Sequence, residues 1–258
     1  MDWSAEQYAK FEVERTRPVR DLVAQIMNDR VGSAVDLGCG TGNSTEVLTT
    51  TFPAARITGI DNSADMLQSA RKRVPSAAFE KADIVSWAST KVKYDVILAN
   101  ASLQWVPDHE TLLPALLARL ENGGTLAVQI PDNLDEPAHR LMLEVAREGA
   151  WAEKLVNARG AHDTRHSAEW YYRALFGRAS VNLWRTTYYH RLAGGADAVV
   201  EWFRGTALRS FLAPLQMAEQ QVFLEEYRAR LQSAYPLWAD GSVLLPFPRL
   251  LFTARLAL

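Results

Sequence analysis

Short apolar runs alternate with amphipathic segments through the first half of the chain. The runs are bounded by turn residues and lie at 34–37, 56–61, 77–79, 94–99 and 125–130. Between the second and third runs, segment 63–74 places Met66, Leu67, Ala70 and Val74 on one helical face. Alternation of this kind is typical of βαβ units around a parallel sheet, so we predict five parallel strands in this half.

The pattern changes after Pro131, where helical and aromatic-rich stretches dominate. Strand-like runs recur at Val181–His190 and Leu250–Leu256, and an i, i+4 spacing of large side chains predicts a helix over 216–235 between them. We therefore expect one domain, 1–258, that carries a helical substrate cap. The predicted cap segments are 132–178 and 195–247.

The bulk composition narrows the classes of function. The 258 residues are 48% hydrophobic, which is enough for a full core, and the net charge of −2 offers no basic field for nucleic acid. A single cysteine, Cys39, excludes an intrachain disulfide and a cysteine-rich zinc site. No signal-peptide pattern or long apolar stretch is present. We expect a cytoplasmic protein without a nucleic-acid, membrane or obligate protein partner.

A glycine-rich loop, Asp36–Gly42, follows the first predicted strand and opens a helix. This is where nucleotide cofactors are cradled in α/β folds. A dinucleotide-binding loop would have its third glycine at Asn43, whereas here it comes one residue earlier, at Gly42. The carboxylate of Asp36 suits a ligand with a positive ammonium group and would repel a pyrophosphate. The loop therefore favours S-adenosylmethionine over NAD.

Acidic residues follow the next two predicted strands. Asp61 ends the second strand, where a carboxylate can accept both hydroxyls of a ribose, and Asp83 follows the third, where it could bind an adenine amino group. A lone aspartate at such a position is more often a helix cap or a solvated turn residue. Here the glycine-rich loop, Asp61 and Asp83 follow three successive predicted strands, and together they favour a cofactor site. We expect Cys39 to be a small filler rather than a nucleophile.

These residues resemble the glycine motif, the ribose acid and the adenine acid of the class I methyltransferases, over residues 30–130. The resemblance implies a Rossmann-like α/β fold with a mostly parallel, seven-stranded sheet whose last strand is antiparallel. It also implies S-adenosyl-L-methionine as cofactor and a cofactor-binding core at 30–131. The predicted cofactor-binding residues are Asp36, Gly38, Cys39, Gly40, Gly42, Asn43, Asp61, Asn62, Met66, Asp83, Ile84, Asn100, Ala101 and Gln104.

The segment after the fourth predicted strand, Asn100–His109, narrows the resemblance. It lacks the Asn/Asp-Pro-Pro-aromatic motif of nucleic-acid N-methyltransferases. It is similar instead to the bacterial trans-aconitate 2-methyltransferases and, more loosely, to the malonyl-carrier-protein methyltransferases, both of which esterify a carboxylate. Further similarity to the aconitate family lies in 128–133, 184–190, 205–212 and 247–252. Near the N-terminus, Asp2, Trp3, Tyr8, Phe11 and 14–18 also fit that family.

The chemistry of ester formation sets modest demands on the protein. A carboxylate with a reference pKa of about 4 is already a nucleophile at pH 7, so no general base is required. We accordingly predict no catalytic side chain, and alignment of the reactants should suffice. His162 and His166 have helical i, i+4 spacing, but we expect no metal site there.

Arginines dominate the basic residues of the second half. After Lys93 the chain has fifteen arginines and one lysine, and the planar guanidinium grips carboxylates through two parallel hydrogen bonds. Codon bias toward arginine would give the same count, with most of these side chains in water. The aromatic run from Trp184 to Tyr189 would also fit a strand that packs against the sheet. The predicted substrate-binding residues are Trp105, Arg185, Tyr188, Tyr189, His190, Arg209 and Arg249.

The sequence thus predicts an enzyme that forms the monomethyl ester of trans-aconitate or a closely related small polycarboxylate. One alternative is a carboxyl methyltransferase that acts on a malonyl carrier protein, although no basic cluster offers a docking surface for an acidic partner. The other is a non-catalytic regulator that binds the cofactor, because a fold does not by itself imply a function.

Overall fold

The structure, a computed structural model, describes residues 12–28, 30–160 and 166–257. His162 and the N-terminal part of the family resemblance, residues 2–11, lie outside the described residues.

Seven strands form one sheet in the order β3-β2-β1-β4-β5-β7-β6. Their bounds are β1 Ser33–Leu37, β2 Arg56–Asp61, β3 Ala78–Lys81, β4 Tyr94–Asn100, β5 Leu120–Pro131, β6 Ser180–Ala193 and β7 Ser242–Arg255. The neighbouring pairs among β1 to β5 are all parallel. The five predicted parallel strands are therefore confirmed.

The last strand, β7, runs antiparallel to β5. The N–H of Gly123 donates to Ala257 O, and the N–H of Leu256 donates to Gly124 O, each at 2.9 Å, so the start of β5 lies beside the end of β7. At the other end of β5, the N–H of Asp132 donates to Pro248 O at 2.9 Å. The chain therefore has the predicted Rossmann-like fold of class I methyltransferases, with a mixed seven-stranded sheet.

Two strands begin well before the residues at which the sequence predicted them to start. β7 begins at Ser242 rather than at residue 250, because Pro246 and Pro248 lack N–H donors and disguise its first half as a non-strand segment. β5 begins at Leu120 rather than at residue 125, where the pair Gly123-Gly124 has the composition of a turn.

Helices connect the strands. Their bounds are α1 Glu12–Val23, α2 Asn43–Thr51, α3 Ala64–Arg73, α4 Ile84–Ala88, α5 His109–Leu117, α6 Pro137–Glu148, α7 Val156–Gly160, α8 Ala168–Leu175, α9 Gly195–Arg204, α10 Leu208–Leu212 and α11 Met217–Ala234. The helices predicted over 63–74 and 216–235 are confirmed as α3 and α11. Within the described ranges, no helix combines the length and the apolar character needed to cross a membrane.

Both faces of the parallel strands are buried, as their continuous apolar runs require. On one face, Leu37 and Ile97 pack in a cluster with Leu113 of α5. On the other face, Leu98 packs in a cluster with Leu22 of α1. The sheet is thus covered by helices on both sides, and the ends of its strands are left for a ligand.

The chain divides into two compact units. The first comprises Met1–Pro131, His166–Thr186 and Leu250–Leu258, and the second comprises Asp132–Arg165 and Thr187–Arg249. The predicted cap segment 132–178 extends beyond the corresponding part of the second unit. Helix α8 belongs to the first unit because its Tyr171 and Leu175 are completely buried in the core cluster of that unit. The predicted segment 195–247 lies within the second unit, in the part Thr187–Arg249.

Candidate active site

The candidate site lies at the carboxyl ends of β1 and β4. These strands are adjacent and parallel, with Asp36 opposite Leu98. The sheet order changes direction here, since β2 and β3 lie on one side of β1 and β5 lies beyond β4. Open α/β sheets bind their ligands at such a switch point.

The glycine-rich loop adopts backbone angles that favour glycine. Gly38, Gly40 and Gly42 have φ of 73°, 54° and 91°, in the left-handed region. The N–H groups of Gly38 and Cys39 both donate to Ile60 O, at 2.8 and 3.0 Å, which fastens the loop to the end of β2. A Cβ on Gly40 would have no atom within 4 Å, so the loop leaves open space at this residue.

The segment after β4 packs directly against this loop. A Cβ on Gly38 would lie 2.4 Å from the Cβ of Ser102, so only glycine fits there. Ala101, the preceding residue, has a positive φ of 53°, and its N–H donates to Gln129 O at 2.9 Å. A non-glycine residue in this region stores strain, a feature that clusters at functional sites.

Asp36 is completely buried at the base of the loop. Its Oδ2 accepts hydrogen bonds from the hydroxyls of Ser44 and Thr45, both at 2.7 Å. Among the described residues, no hydrogen-bond partner reaches the other oxygen, Oδ1, which is also buried. Burial raises the pKa of Asp36 to about 6, the two hydroxyls oppose that shift, and the charge of Asp61 adds to it. This buried oxygen can accept a hydrogen bond from a cationic or hydrogen-donating ligand.

Asp61 holds the loop from the end of β2. Its Oδ2 accepts from the N–H of Gly40 at 2.9 Å, and its Oδ1 accepts from the N–H of Ser63 at 2.8 Å. Each carboxylate oxygen can accept a second hydrogen bond. Asp61 therefore orders the loop and keeps the capacity to accept from a diol.

Asp83 is the N-cap of α4. Its Oδ1 accepts from the N–H groups of Val85 and Ser86, at 2.8 and 3.3 Å, and the side chain is exposed. Asp83 is therefore a helix cap, which is the structural role that the sequence analysis gave as the alternative to cofactor binding. Ile84 beside it is buried. Binding of an adenine at Asp83 stays a prediction.

Two further buried polar atoms lie at the end of β4. Among the described residues, neither Oδ1 of Asn100 nor Oγ of Ser102 has a hydrogen-bond partner. Asn100 was predicted from the sequence, but Ser102 was not singled out. The only sequence feature that pointed to Ser102 was its position within the segment Asn100–His109. Its packing against Gly38 is seen only in the structure.

Three more predicted cofactor residues lie in the loop or in the helices next to it in sequence. Cys39 is buried against Phe79, and burial raises the pKa of its thiol, so it is a filler and not a nucleophile. Asn43 accepts from the hydroxyl of Thr41 at 2.7 Å, and Met66 is buried in α3.

Two others differ in their surroundings. Gln104 donates from Nε2 to Ala101 O at 2.7 Å, whereas Asn62 is exposed. Taken with the loop, the buried oxygens of Asp36, Asn100 and Ser102 and the space at Gly40 fit the predicted cofactor. They offer a negative charge and acceptors for its ammonium group and a backbone cradle beside them.

Some of the predicted substrate residues lie in a buried aromatic cluster of the second unit. Arg249 is 4% exposed, and its guanidinium carbon lies 4.6 Å from the ring centre of Phe247. His190, also 4% exposed, stacks on Trp202 with ring centres 4.6 Å apart and lies 5.8 Å from the ring of Phe247. A buried cation beside aromatic rings is a setting for binding a small planar anion.

The other predicted substrate residues are not all brought together. On β6, Tyr188 is buried on the same face as His190, whereas Tyr189 points to the opposite face and is 61% exposed. Arg209 on α10 is half-buried. In the first unit, Arg185 is exposed and Trp105 is 41% exposed.

Metal-binding side chains do not converge in the part of the chain that the structure describes, where no group of three His, Cys, Asp or Glu could hold an ion. His166 stacks on Trp170 with ring centres 3.7 Å apart.

Comparison with known proteins is consistent with this geometry. A family model described as a methyltransferase domain matches residues 34–124, which contain the glycine-rich loop, all of β1 except its first residue, and β2 to β4. A trans-aconitate 2-methyltransferase of Rhodopseudomonas palustris strain BisA53 is 51% identical over 254 residues, 98% of each chain. The chain belongs to the trans-aconitate 2-methyltransferase family. Since the match extends over both compact units, the family likeness includes the second unit.

Solved structures support the fold of the family. The YcgJ protein of Bacillus subtilis aligns with a TM-score of 0.62 at 11% identity, covering 94% of this chain and 99% of that one. A Haemonchus contortus phosphoethanolamine N-methyltransferase 2, solved with S-adenosyl-L-methionine, aligns with a TM-score of 0.55 at 14% identity, covering 94% and 53%. At these identities the likeness concerns the fold alone.

Proposed function

We propose that this protein transfers a methyl group from S-adenosyl-L-methionine to one carboxylate of trans-aconitate or a closely related small polycarboxylate. The observation that carries the proposal is the 51% identity, over 98% of both chains, to a trans-aconitate 2-methyltransferase. Asp36 independently supports the same cofactor, because its buried Oδ1 lacks a hydrogen-bond partner among the described residues and the side chain lies at the base of a glycine-rich loop.

When bound, S-adenosyl-L-methionine supplies an electrophilic methyl group on a sulfonium. The residues proposed to hold it are those at the ends of β1, β2 and β4. Asp36 and Asn100 offer buried acceptors to the ammonium group, the backbone from Gly38 to Gly42 lies beside them, and Asp61 accepts from the ribose. Asp83 and Ile84 are proposed to face the adenine.

In the second unit, Arg249 is the residue best suited to bind a substrate carboxylate. Its guanidinium is buried, so a hydrogen-bonded pair with a carboxylate would be shielded from water and strong. Tyr188 and His190 share a buried face of β6 and can add neutral donors. The half-buried Arg209 is proposed as a second cation. The exposed Arg185, Tyr189 and Trp105 contribute less to this proposal.

The chain needs no general base for this reaction. The substrate carboxylate, with a reference pKa of about 4, is ionised at pH 7 and attacks through oxygen without losing a proton. The methyl group would come from the sulfonium of the cofactor, which would leave as a neutral thioether, so the chain would have no proton to supply or remove. The protein contributes orientation and exclusion of water.

The two alternative functions are not favoured. The relative described above matches over 98% of its length, and its name refers to a small acid, trans-aconitate, and not to a carrier protein. The same relative is named as a methyltransferase, which disfavours a regulator without chemistry.

The decisive experiment measures transfer of tritiated methyl from S-adenosyl-L-methionine to trans-aconitate, to citrate and to a malonyl carrier protein, in parallel. We expect saturable transfer to trans-aconitate that exceeds transfer to the other two acceptors. Preferential labelling of the carrier protein would overturn the proposed substrate. Binding of S-adenosyl-L-methionine without transfer to any acceptor would indicate the regulator.

A further inference from the structure

His109, the first residue of α5, is completely buried and uses both ring nitrogens. Its Nε2 lies 2.8 Å from Leu103 O, and its Nδ1 lies 2.6 Å from the hydroxyl oxygen of Tyr171. A carbonyl oxygen can only accept, so Nε2 carries the proton, and Nδ1 of the neutral ring accepts from the hydroxyl. The two partners fix the tautomer and the orientation of the imidazole.

The surroundings of His109 favour its neutral form. Burial lowers the pKa of His109, the hydrogen bond to Leu103 opposes that shift, and a charge on His166 lowers the pKa further. A neutral imidazole with both nitrogens engaged has no nitrogen available for proton transfer. His109 is therefore not a general base, in agreement with the chemistry of carboxylate methylation.

The carbonyl that His109 holds belongs to the candidate active site. Leu103 begins the short 3₁₀ turn Leu103–Trp105, which directly follows Ser102 and the strained Ala101. Leu103 O also accepts from the N–H of Val106 at 2.9 Å. The histidine thus fastens the turn between Ser102 and Trp105 to the start of α5.

Tyr171 connects this contact to the core of the first unit. Its ring is completely buried on α8, with its centre 5.4 Å from the ring centre of Phe252 on β7. The chain of contacts from Phe252 through Tyr171 and His109 to Leu103 therefore joins two helices and a strand to the segment that packs on Gly38.

We propose that His109 and Tyr171 are positioning residues for methyl transfer, which hold the turn after β4 so that Ser102 keeps its place against Gly38 and Gln104 keeps its hydrogen bond to Ala101 O. This inference rests on the proposed function for its kinetic consequence. Its structural consequence, a turn that depends on the imidazole and the phenol hydroxyl, can be measured without turnover.

The first test compares two tyrosines that each make a buried hydrogen bond. Tyr171→Phe removes the bond to His109, whereas Tyr227→Phe removes a 3.0 Å bond from a completely buried hydroxyl to Ala138 O in the second unit. Both variants should lose a similar few degrees in Tm. Only Tyr171→Phe should lower kcat for trans-aconitate, by about 5- to 100-fold, because displacement of reacting groups by about 1 Å can cost about 100-fold.

The second test restores the donor at position 109. His109→Leu removes both hydrogen bonds and should lower kcat at least as much as Tyr171→Phe. His109→Gln keeps an N–H donor for Leu103 O and should recover part of the rate at a similar Tm. A purely structural role predicts instead that kcat per folded molecule stays normal in all of these variants.

Hydrogen exchange followed by mass spectrometry separates this inference from the proposed function. In Tyr171→Phe, amides in the peptide 101–107 should exchange faster than in wild type, while those of β2 stay unchanged, and Tyr227→Phe should leave both unchanged. Calorimetry with S-adenosylhomocysteine should show a cofactor site still present in each variant. An inactive wild type would refute the proposed substrate, whereas unchanged exchange over 101–107 in Tyr171→Phe would overturn the positioning role.

Discussion

Gly38 and Ser102 lie so close that a methyl group on the glycine would overlap the serine side chain, at 2.4 Å between the two Cβ positions. The glycine-rich loop after β1 and the segment after β4 are therefore packed without a gap. Ser102 also carries a buried hydroxyl oxygen that lacks a hydrogen-bond partner within the described chain. This contact brings the ends of the two neighbouring strands into one candidate site.

Gly38→Ala should destabilise the protein and abolish cofactor binding. The left-handed backbone costs an alanine about 1–2 kcal/mol, and the overlap with Ser102 adds to that cost. The double variant Gly38→Ala with Ser102→Gly removes the overlapping Cβ and should recover stability, as measured by urea unfolding. A double variant no more stable than Gly38→Ala would show that the overlap is not the cause.

Gly40→Ala should weaken cofactor binding with a smaller loss of stability. Gly40 has positive φ, but a Cβ there meets no atom of the protein, so the new methyl group would intrude on the space proposed for the cofactor. Gly177→Ala is the matched control, since Gly177 also has positive φ and open space but lies outside the candidate site. The two variants should unfold at similar urea concentrations, and calorimetry should find weaker S-adenosyl-L-methionine binding in Gly40→Ala alone.

Cofactor affinity should fall as the pH drops through about 6. Burial raises the pKa of Asp36 to about 6, so the carboxylate that is proposed to face the ammonium group is protonated below that value. The dissociation constant should rise by up to about tenfold per pH unit below 6 and level off above about 7, since one proton is linked to binding. In Asp36→Asn the dissociation constant should be higher and nearly independent of pH. An equally steep dependence in that variant would assign the ionisation to another group.

At saturating concentrations of both substrates, kcat should stay flat from about pH 6 to 8, because the attacking carboxylate needs no base. Single-turnover rates would test this directly. A sharp ionisation near pH 7 that persists in Asp36→Asn would indicate a base that the proposal lacks.

Arg249→Ala should raise the KM for trans-aconitate by about 30- to several-thousand-fold, because loss of one partner from a desolvated charge pair costs about 2–5 kcal/mol. Arg249→Lys keeps the charge without the planar fork and should recover only part of the loss. Arg191→Ala is the control within the same unit, since Arg191 forms an exposed ion pair with Asp240. Normal kinetics in Arg249→Ala, with an unchanged Tm, would place the carboxylate site elsewhere.

Local sequence patterns say more about the proposed cofactor site than about the proposed substrate site. Asp36, Asp61 and the glycines are close in sequence to strand ends, and the period of apolar runs locates those ends. The packing of Ser102 on Gly38 joins residues from separate strands, so no local pattern could reveal it. Asp83 shows the opposite case, because the same position suits a helix cap and a ligand contact, and the structure shows the cap.

The proposed substrate residues depend on burial, which a sequence pattern does not show. Arg249 and Arg185 are both arginines in strands that match the family, yet one is buried and the other is exposed. Likewise, the run Tyr188-Tyr189-His190 places its members on alternate faces of β6. The alternation of side chains along a strand can be predicted from a sequence. The start of β7 could not, because prolines in its first half are unusual within a strand.

The position of β7 has a consequence for how the chain assembles. In the sheet, β7 lies between β5 and β6, although it is the last of the seven strands in sequence. During synthesis, β6 leaves the ribosome before the strand that must pair with it, so it waits with unpaired backbone groups until β7 arrives. Such late, long-range strand insertion is slow and exposes a sheet edge to other chains. The order of the strands thus leaves the pairing edges of β5 and β6 without their partner until the last strand has been synthesised.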